Sequence, residues 1–130
     1  MSKIIIKPLQ KALLKLDEIL LMPKDEIVRD AAIQRFDYSF ELSWKILRRF
    51  LKEVYNEDEE VFLVMLKKAA KLGLIECPLV WNECRKFRNY TSHNYSEIGA
   101  DLSYNQAIIF NPLARQMLAN LEKINIKLDE

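Results

Sequence analysis

The stretch that decides the fold is residues 25–55, DEIVRDAAIQRFDYSFELSWKILRRFLKEVY. Its large apolar side chains recur at intervals of three and four residues, at Ile33, Phe36, Phe40, Trp44, Leu47, Leu51 and Val54. This spacing places them on one face of an α-helix. A helix of that length extends over about 45 Å, which is more than so small a domain needs for its own core. We therefore expect part of it to face a partner chain.

Helical spacing also dominates the chain on either side of this stretch. A first helix is predicted over residues 8–21, with Pro8 in its first turn. After the long helix, Asn56 and Glu59 have the three-residue spacing of a capping box and predict the start of a third helix. Gly73 is expected to end that helix, because glycine adopts the left-handed conformation found at helix ends.

The last two helices have fewer capping and helix-ending residues from which to predict their bounds. A fourth begins near Pro78 and ends between Thr91 and Glu97, and a fifth extends from about Ser103 to Leu128, with a kink at Pro112. No segment alternates with a period of two. The fold class is therefore all-α, an antiparallel up-and-down bundle of four to five helices in a single domain, residues 1–130.

Composition limits the classes of function. The chain has 130 residues, of which 50% are hydrophobic and 30% charged, and a net charge of +1. Such a balance is typical of a globular domain and produces no overall field for DNA or a membrane surface, so any nucleic-acid contact has to be local. No apolar run is long enough for a signal peptide or a membrane span, and we expect a cytoplasmic protein.

The supply of metal ligands is small. Cys77, Cys84 and His93 are the only cysteines and histidine, whereas a structural zinc site usually takes four such ligands. We predict no metal and no cofactor. Two free, buried thiols are consistent with a reducing cytosol.

The segment richest in side chains that could act in catalysis is residues 88–95, Arg-Asn-Tyr-Thr-Ser-His-Asn-Tyr. The guanidinium of Arg88 has the geometry to bind a phosphate, and His93 is the side chain best suited to move protons near neutral pH. Together they could cleave RNA without a metal. On one regular helix, however, five residues place these two side chains roughly 140° apart. An active site then requires a helix that is distorted or ends near Ser92, or a site built across a dimer interface.

Structural interpretations of the same residues stay open. Arg88 could pair with a carboxylate such as Glu41, and His93 could cap a helix or lie in the core. Glu41 could orient Arg88 or His93, or could form a surface pair with Lys45 four residues later. Two basic groups could attract RNA phosphates or simply be solvated: Lys45, Arg48, Arg49 and Lys52 on one helix, and Arg85, Lys86 and Arg88 on another.

Taken together, these residues resemble a known family. The pattern of Arg88, Asn89, His93 and Tyr95 resembles the Arg-polar-x3-His-x-Tyr signature of HEPN domains. Two further blocks, AIQRF with FELSWK (residues 32–36 and 40–45) and AKLGLI followed by Trp81 (residues 70–75 and 81), are similar to the HEPN branch of nucleotidyltransferase substrate-binding proteins. The resemblance covers nearly the whole chain.

The resemblance implies a five-helix bundle that forms homodimers and has a minimal nucleotidyltransferase as its partner. In some members the HEPN chain is a metal-independent endoribonuclease toxin, and the partner silences it by transferring AMP to the motif tyrosine. Carried over, Arg88 and His93 are catalytic, Asn89 assists, Glu41 orients, and Tyr95 is the modified residue. Other members resemble non-catalytic subunits that present a substrate to the nucleotidyltransferase. A purely structural helical dimer is a third hypothesis.

Overall fold

The computed structural model describes residues 4–93 and 96–128, and of residues 89–93 it describes the backbone alone. It contains five helices in these ranges: α1 (Lys7–Leu20), α2 (Glu26–Tyr55), α3 (Phe62–Lys71), α4 (Pro78–His93) and α5 (Glu97–Leu128). No strand occurs among the described residues. The predicted all-α class is confirmed.

The long helix α2 has a clear beginning and end. The carboxylate of Asp25 accepts a hydrogen bond from the backbone N–H of Val28 at 2.7 Å, which caps the first turn. At the other end Asn56 adopts the left-handed conformation, with φ of 55°. Asn56 therefore ends α2 and does not cap α3, so the predicted capping box is wrong. The N-cap of α3 is Val61, whose N–H donates to Glu59 at 3.2 Å.

The end of α3 follows its prediction. Gly73 has a φ of +78°, its N–H donates to the carbonyl of Ala70, and the N–H of Leu74 donates to the carbonyl of Ala69. These two hydrogen bonds form a Schellman motif. Leu74 and the following Ile75 are each 3% exposed, so this turn is also fixed by burial.

Helix α5 begins six residues earlier than predicted, at Glu97 and not near Ser103. The hydroxyl of Ser96 accepts a hydrogen bond from the N–H of Gly99 at 3.0 Å, which caps the helix. Glu97 is also held by an ion pair with Arg29 of α2. Pro112 lies within a continuous helix, and the predicted kink stays a prediction.

The four long helices pack in alternating directions, with α3 as a short connection between α2 and α4. Contacts of Arg35 with Lys15 and of Ser39 with Ala12 show that α2 is antiparallel to α1. Contacts of Ser103 with Phe87 and of Gln106 with Cys84 show the same for α5 and α4. Aromatic rings fill the centre of the bundle, where Phe36, Phe40 and Trp81 all pack against Phe110 with ring centroids 5.3–5.6 Å apart.

The core positions of α5 include Ala107, Phe110 and Ala114, whereas Ile108 is 47% exposed. One burial prediction, for the two thiols, was half wrong. Cys84 is buried as expected, whereas Cys77 is exposed in the turn before α4. None of the helices in the described part of the chain combines the length and apolar character that crossing a membrane requires.

Candidate functional site

Helix α4 carries Arg88 to the edge of the core. Pro78 is its first residue, and Trp81 and Cys84 are fully buried against the other helices. Burial raises the pKa of the Cys84 thiol to about 11, so this sulfur is a packing group and not a thiolate. Arg88 lies two turns beyond Trp81 on the same side of the helix. Its side chain therefore extends from the core boundary towards α2, and 28% of it is exposed.

Arg88 is held by two carboxylates of α2. Its Nε donates to Asp37, and its Nη1 forms an ion pair with Glu41. Asp37 and Glu41 are four residues apart, so they lie on one face of α2 and can grip a guanidinium at two points. Of the alternatives left open by the sequence, the structure shows the pairing of Arg88 with Glu41. Asp37 was missed, although its spacing from Glu41 was a visible signal that two acids share a face.

Glu41 is the centre of a small network. Trp44 Nε1 donates to its Oε2 at 3.2 Å, and Lys45 Nζ lies 3.0 Å from its Oε1. Partial burial acts to raise the pKa of Glu41, but hydrogen bonds from Lys45 and Trp44 and the charge of Arg88 outweigh it and lower the pKa. Glu41 is therefore an anion at neutral pH. Its pairs with Arg88 and Lys45 occur together, so the two interpretations of Glu41 are not exclusive.

The remainder of the motif lies at the end of α4. The helix continues to His93, which confirms the predicted end between residues 91 and 97. Asn89 and His93 are described by their backbone only, and Tyr95 lies outside the described residues. Because the backbone of α4 is helical through His93, positions 88 and 93 lie roughly 140° apart around its axis.

The chain is anchored again directly after the motif. Arg29 of α2 is 7% exposed, and its Nη1 lies 2.6 Å from Glu97 Oε2. This pair lowers the pKa of Glu97. One turn later, Lys24 pairs with Asp101 at 3.1 Å. The motif segment is thus bounded by two ion pairs to α2, one from Arg88 and one from Glu97.

Most of the predicted basic residues have acidic or aromatic partners. Arg49 pairs with Glu53 at 2.8 Å and Arg48 with Asp58 at 3.8 Å. The guanidinium of Arg85 lies 4.7 Å from the ring centroid of Phe62. These contacts favour a solvated, internally balanced surface over a field for RNA phosphates.

An apolar face on α4 and α5 is exposed. Leu79 of α4 and Ile98, Leu102 and Ile109 of α5 are between 43% and 75% exposed. By helical spacing the three α5 residues share one side of that helix. A groove of about 390 Å³ runs between the two helices, lined by Glu83, Lys86, Phe87 and Leu102. Large exposed apolar side chains that share a face are typical of protein interfaces.

The fold and this arrangement agree with a defined class of protein. Residues 5–123 match the family described as "Nucleotidyltransferase substrate binding protein like", so the chain belongs to the nucleotidyltransferase substrate-binding family. This is the branch of HEPN domains that its sequence resembles.

Individual relatives are also known. A Haemophilus influenzae protein named "Probable ribonuclease HepT" is 34% identical over 79 residues, which is 58% of this chain and 54% of that protein. The chain thus spans about half the length of this curated relative.

Two solved structures have the same fold. A protein from Thermus thermophilus has 29% identity and a TM-score of 0.79, over 87% of this chain and 98% of that one. A structure from Haemophilus influenzae, described as revealing the fold of a substrate binding domain of a nucleotidyltransferase, has 26% identity and a TM-score of 0.79, over 91% and 99%.

Proposed function

We propose that this chain is the HEPN subunit that works with a minimal nucleotidyltransferase, and that it is a metal-independent endoribonuclease, the toxin of a toxin–antitoxin pair. The observation that carries the proposal is the fixed position of Arg88. Two carboxylates of α2 orient its guanidinium on the helix that ends at His93. A cation oriented in advance stabilises charge on a reacting phosphate without a reorganisation cost. The relative named a probable ribonuclease supports the same activity.

In the proposed reaction, the 2′-oxygen of a ribose attacks the neighbouring phosphorus and the P–O5′ bond breaks. The products are a 2′,3′-cyclic phosphate and a free 5′-hydroxyl. His93 takes the proton from the 2′-hydroxyl or supplies one to the leaving 5′-oxygen. Arg88 stabilises the negative charge on the phosphate, and Asn89 assists at the same group. Glu41 positions Arg88 and does not touch RNA.

The site we propose is shared by two copies of the chain. Within one regular α4, Arg88 and His93 diverge, and the described helix continues through residue 93. Packing two α4–α5 faces about a two-fold axis covers the exposed Leu102 and Ile109. The same packing lets both Arg–His pairs approach one cleft. In this proposal the active site forms only when two chains dimerise.

The partner follows from the family. A nucleotidyltransferase that transfers AMP to Tyr95 would add a phosphate charge and a bulky adenosine two residues from His93. Such a group blocks access of RNA to the histidine, which explains how an antitoxin could act without unfolding the toxin. Tyr95 is the proposed acceptor for this reason.

A second function is favoured by the charge balance of the site. Asp37 and Glu41 together offset the single charge of Arg88. An arginine neutralised in this way is also expected if Arg88 only holds α4 against α2 and takes no part in catalysis. In that case the chain is a non-catalytic subunit that presents a substrate to the nucleotidyltransferase. Transfer by the partner would then depend on this chain, and this chain alone would leave RNA intact.

The experiment that separates the two functions uses purified chain, a mixed RNA substrate and excess EDTA. The parent is expected to produce fragments with 2′,3′-cyclic phosphate ends, and His93→Ala is expected to produce none. Cys77→Ser is the control for an exposed residue outside the site and should cleave like the parent. Intact RNA with the folded parent would reject the nuclease and favour the binding subunit.

A further inference from the structure

A second basic region lies where α2 packs against α1, on a different side of α2 from Arg88. A groove of about 810 Å³ runs between α1 and α2, and every charged residue that lines it is a cation: Lys7, Lys11, Lys15 and Arg35. The volume is in the range of ligand-binding clefts. None of these four cations forms an ion pair with a carboxylate among the described residues.

The groove is built by specific contacts between its two walls. The guanidinium of Arg35 donates to the backbone carbonyl of Lys15 at 2.7 Å. One turn further along α2, the hydroxyl of Ser39 donates to the carbonyl of Ala12 at 3.3 Å, and both of these groups are buried. These bonds fix the distance between α1 and α2. The cations are therefore held along a cleft of defined width.

The spacing of the lysines suits a ligand with repeated charges. Lys7, Lys11 and Lys15 follow one another at four residues, so they form a row about 12 Å long on one side of α1. Arg35 adds a charge from the facing helix. A row of this length matches a phosphate chain better than a single anion, because one phosphate could reach only one or two of the ammonium groups.

The groove also offers an aromatic ring. Tyr38 lines it and is 59% exposed, so one face of its ring is accessible to a ligand in the groove. A line of cations beside an exposed aromatic ring is how proteins bind single-stranded nucleic acid, with phosphates on the cations and a base on the ring. A membrane surface would instead favour a convex apolar face.

We propose that the α1–α2 groove binds single-stranded RNA, with its phosphates along Lys7, Lys11, Lys15 and Arg35 and one base stacked on Tyr38. The groove would hold the strand whose neighbouring segment reaches the Arg88 site. The claim that the bound strand is a substrate rests on the proposed nuclease function. The claim that RNA binds in the groove does not.

The test is fluorescence anisotropy with a short labelled 2′-O-methyl oligonucleotide, which lacks the 2′-hydroxyl and cannot be cleaved by the proposed reaction. Lys11→Glu/Lys15→Glu is expected to weaken binding by about tenfold or more. The matched control is Lys67→Glu/Lys71→Glu, with the same charge change at the same spacing on α3, which does not contact α1. It should stay within about twofold of the parent. Thermal melting establishes that each variant is folded.

The ring has its own pair of variants. Tyr38→Ala is expected to weaken binding about tenfold, and Tyr38→Phe, which keeps the stacking surface, is expected to bind like the parent. Equal losses in these two variants would overturn the stacking part of the proposal. Equal losses of affinity in Lys11→Glu/Lys15→Glu and in the control Lys67→Glu/Lys71→Glu would overturn the proposal that RNA binds in the groove. So would a parent that does not bind the oligonucleotide.

Two competitors identify the ligand. ATP, which carries phosphates and one base, is expected to compete far more weakly than the unlabelled strand; equal competition would replace the strand with a free nucleotide. Anionic phospholipid vesicles that bind the parent when the oligonucleotide does not would also overturn the proposal. A His93→Ala variant that binds normally but does not cut RNA keeps the two proposals separate. If the parent binds the oligonucleotide but never cleaves RNA, the nuclease proposal is rejected and the proposal of RNA binding in the groove is retained.

Discussion

Two basic regions flank α2, and they differ in how their cations are neutralised. Next to α4, Arg88 contacts Asp37 and Glu41, and Lys45 also pairs with Glu41. Next to α1, the four cations of the groove have no carboxylate partner among the described residues and line an open cleft. The two regions therefore differ in their acidic neighbours.

This difference indicates a division of roles. Carboxylates that hold a cation orient it and cancel its long-range field, which suits a group that must meet one phosphate in one geometry. Cations without such partners raise the local potential and attract a polyanion from solution. We therefore expect changes near Arg88 to affect the rate of RNA cleavage, and changes in the groove to affect the affinity for RNA and its dependence on salt.

The largest effect is expected from the motif. Loss of a general acid or base typically costs about 10²–10⁴-fold in rate, and His93→Ala should reduce RNA cleavage by this factor. Arg88→Gln should cost about 10²–10³-fold, because it removes charge stabilisation. Affinity for the uncleavable oligonucleotide should change little in either variant. A groove variant that abolished cleavage at saturating RNA would remove the distinction between the two regions.

The second effect tests whether the Arg88 site needs two copies of the chain. Ile109 and Ile108 are both 47% exposed and adjacent on α5, but only Ile109 shares a side with Leu102. Ile109→Glu would place an unpaired charge in the proposed interface, at a cost of about 3–5 kcal/mol. We expect it to produce a monomer that does not cut RNA but still binds the oligonucleotide.

Ile108→Glu is the matched control and should remain a dimer in size-exclusion chromatography with light scattering. An Ile109→Glu monomer that cuts RNA at the parent rate would show that the site is complete within one chain.

A third effect concerns salt. If four phosphates contact the groove, the logarithm of the binding constant should fall with the logarithm of salt concentration with a slope of about −2.8, since each contact on a single strand contributes about 0.7. Lys15→Gln should reduce the slope to about −2.1. Lys71→Gln, on α3, should leave it unchanged. Identical slopes for all three proteins would indicate that the phosphates bind elsewhere.

The smallest effect is on stability at the Arg88 site. Glu41→Gln removes a charged acceptor from Arg88, Lys45 and Trp44 and should lower the free energy of unfolding at neutral pH by about 1–2 kcal/mol. Because the folded-state pKa of Glu41 is lowered, its contribution is present above the unfolded-state pKa and is lost as the pH falls through the folded value. The difference between the parent and Glu41→Gln should disappear in acid.

The control for this prediction is Glu53→Gln, which affects an exposed pair with Arg49 and should cost much less. Denaturant unfolding at several pH values measures both variants. A Glu41→Gln deficit that persists at low pH would mean that packing, and not charge, holds Arg88.

Local patterns in the sequence were sufficient for the helices whose ends have their own signals. Asp25 caps α2 and Gly73 ends α3, because an Asp side chain and a left-handed glycine act on backbone groups within a few residues. The start of α5 was misplaced, because part of what fixes it is an ion pair between Glu97 and Arg29, 68 residues apart in the chain. A long-range partner of this kind has no local signature.

The candidate site was predicted to a similar extent. The motif at residues 88–93 was visible from residue types and spacing, and the pairing of Arg88 with Glu41 was one of the alternatives left open, whereas the second carboxylate, Asp37, was not considered. The lysine row of α1 was not singled out from the sequence, because only the packing of α1 against Arg35 and Tyr38 makes it a groove.

The sequence by itself determined the helical class, the long apolar stripe of α2 and the family to which the chain belongs, because periodicity and short motifs are properties of neighbouring residues. Only the tertiary structure decided which cations are neutralised and which remain available. That outcome depends on the acids that the bundle brings within about 4 Å of each cation. Those distances are set by helix packing across dozens of residues, so two similar runs of lysine and arginine acquire different roles.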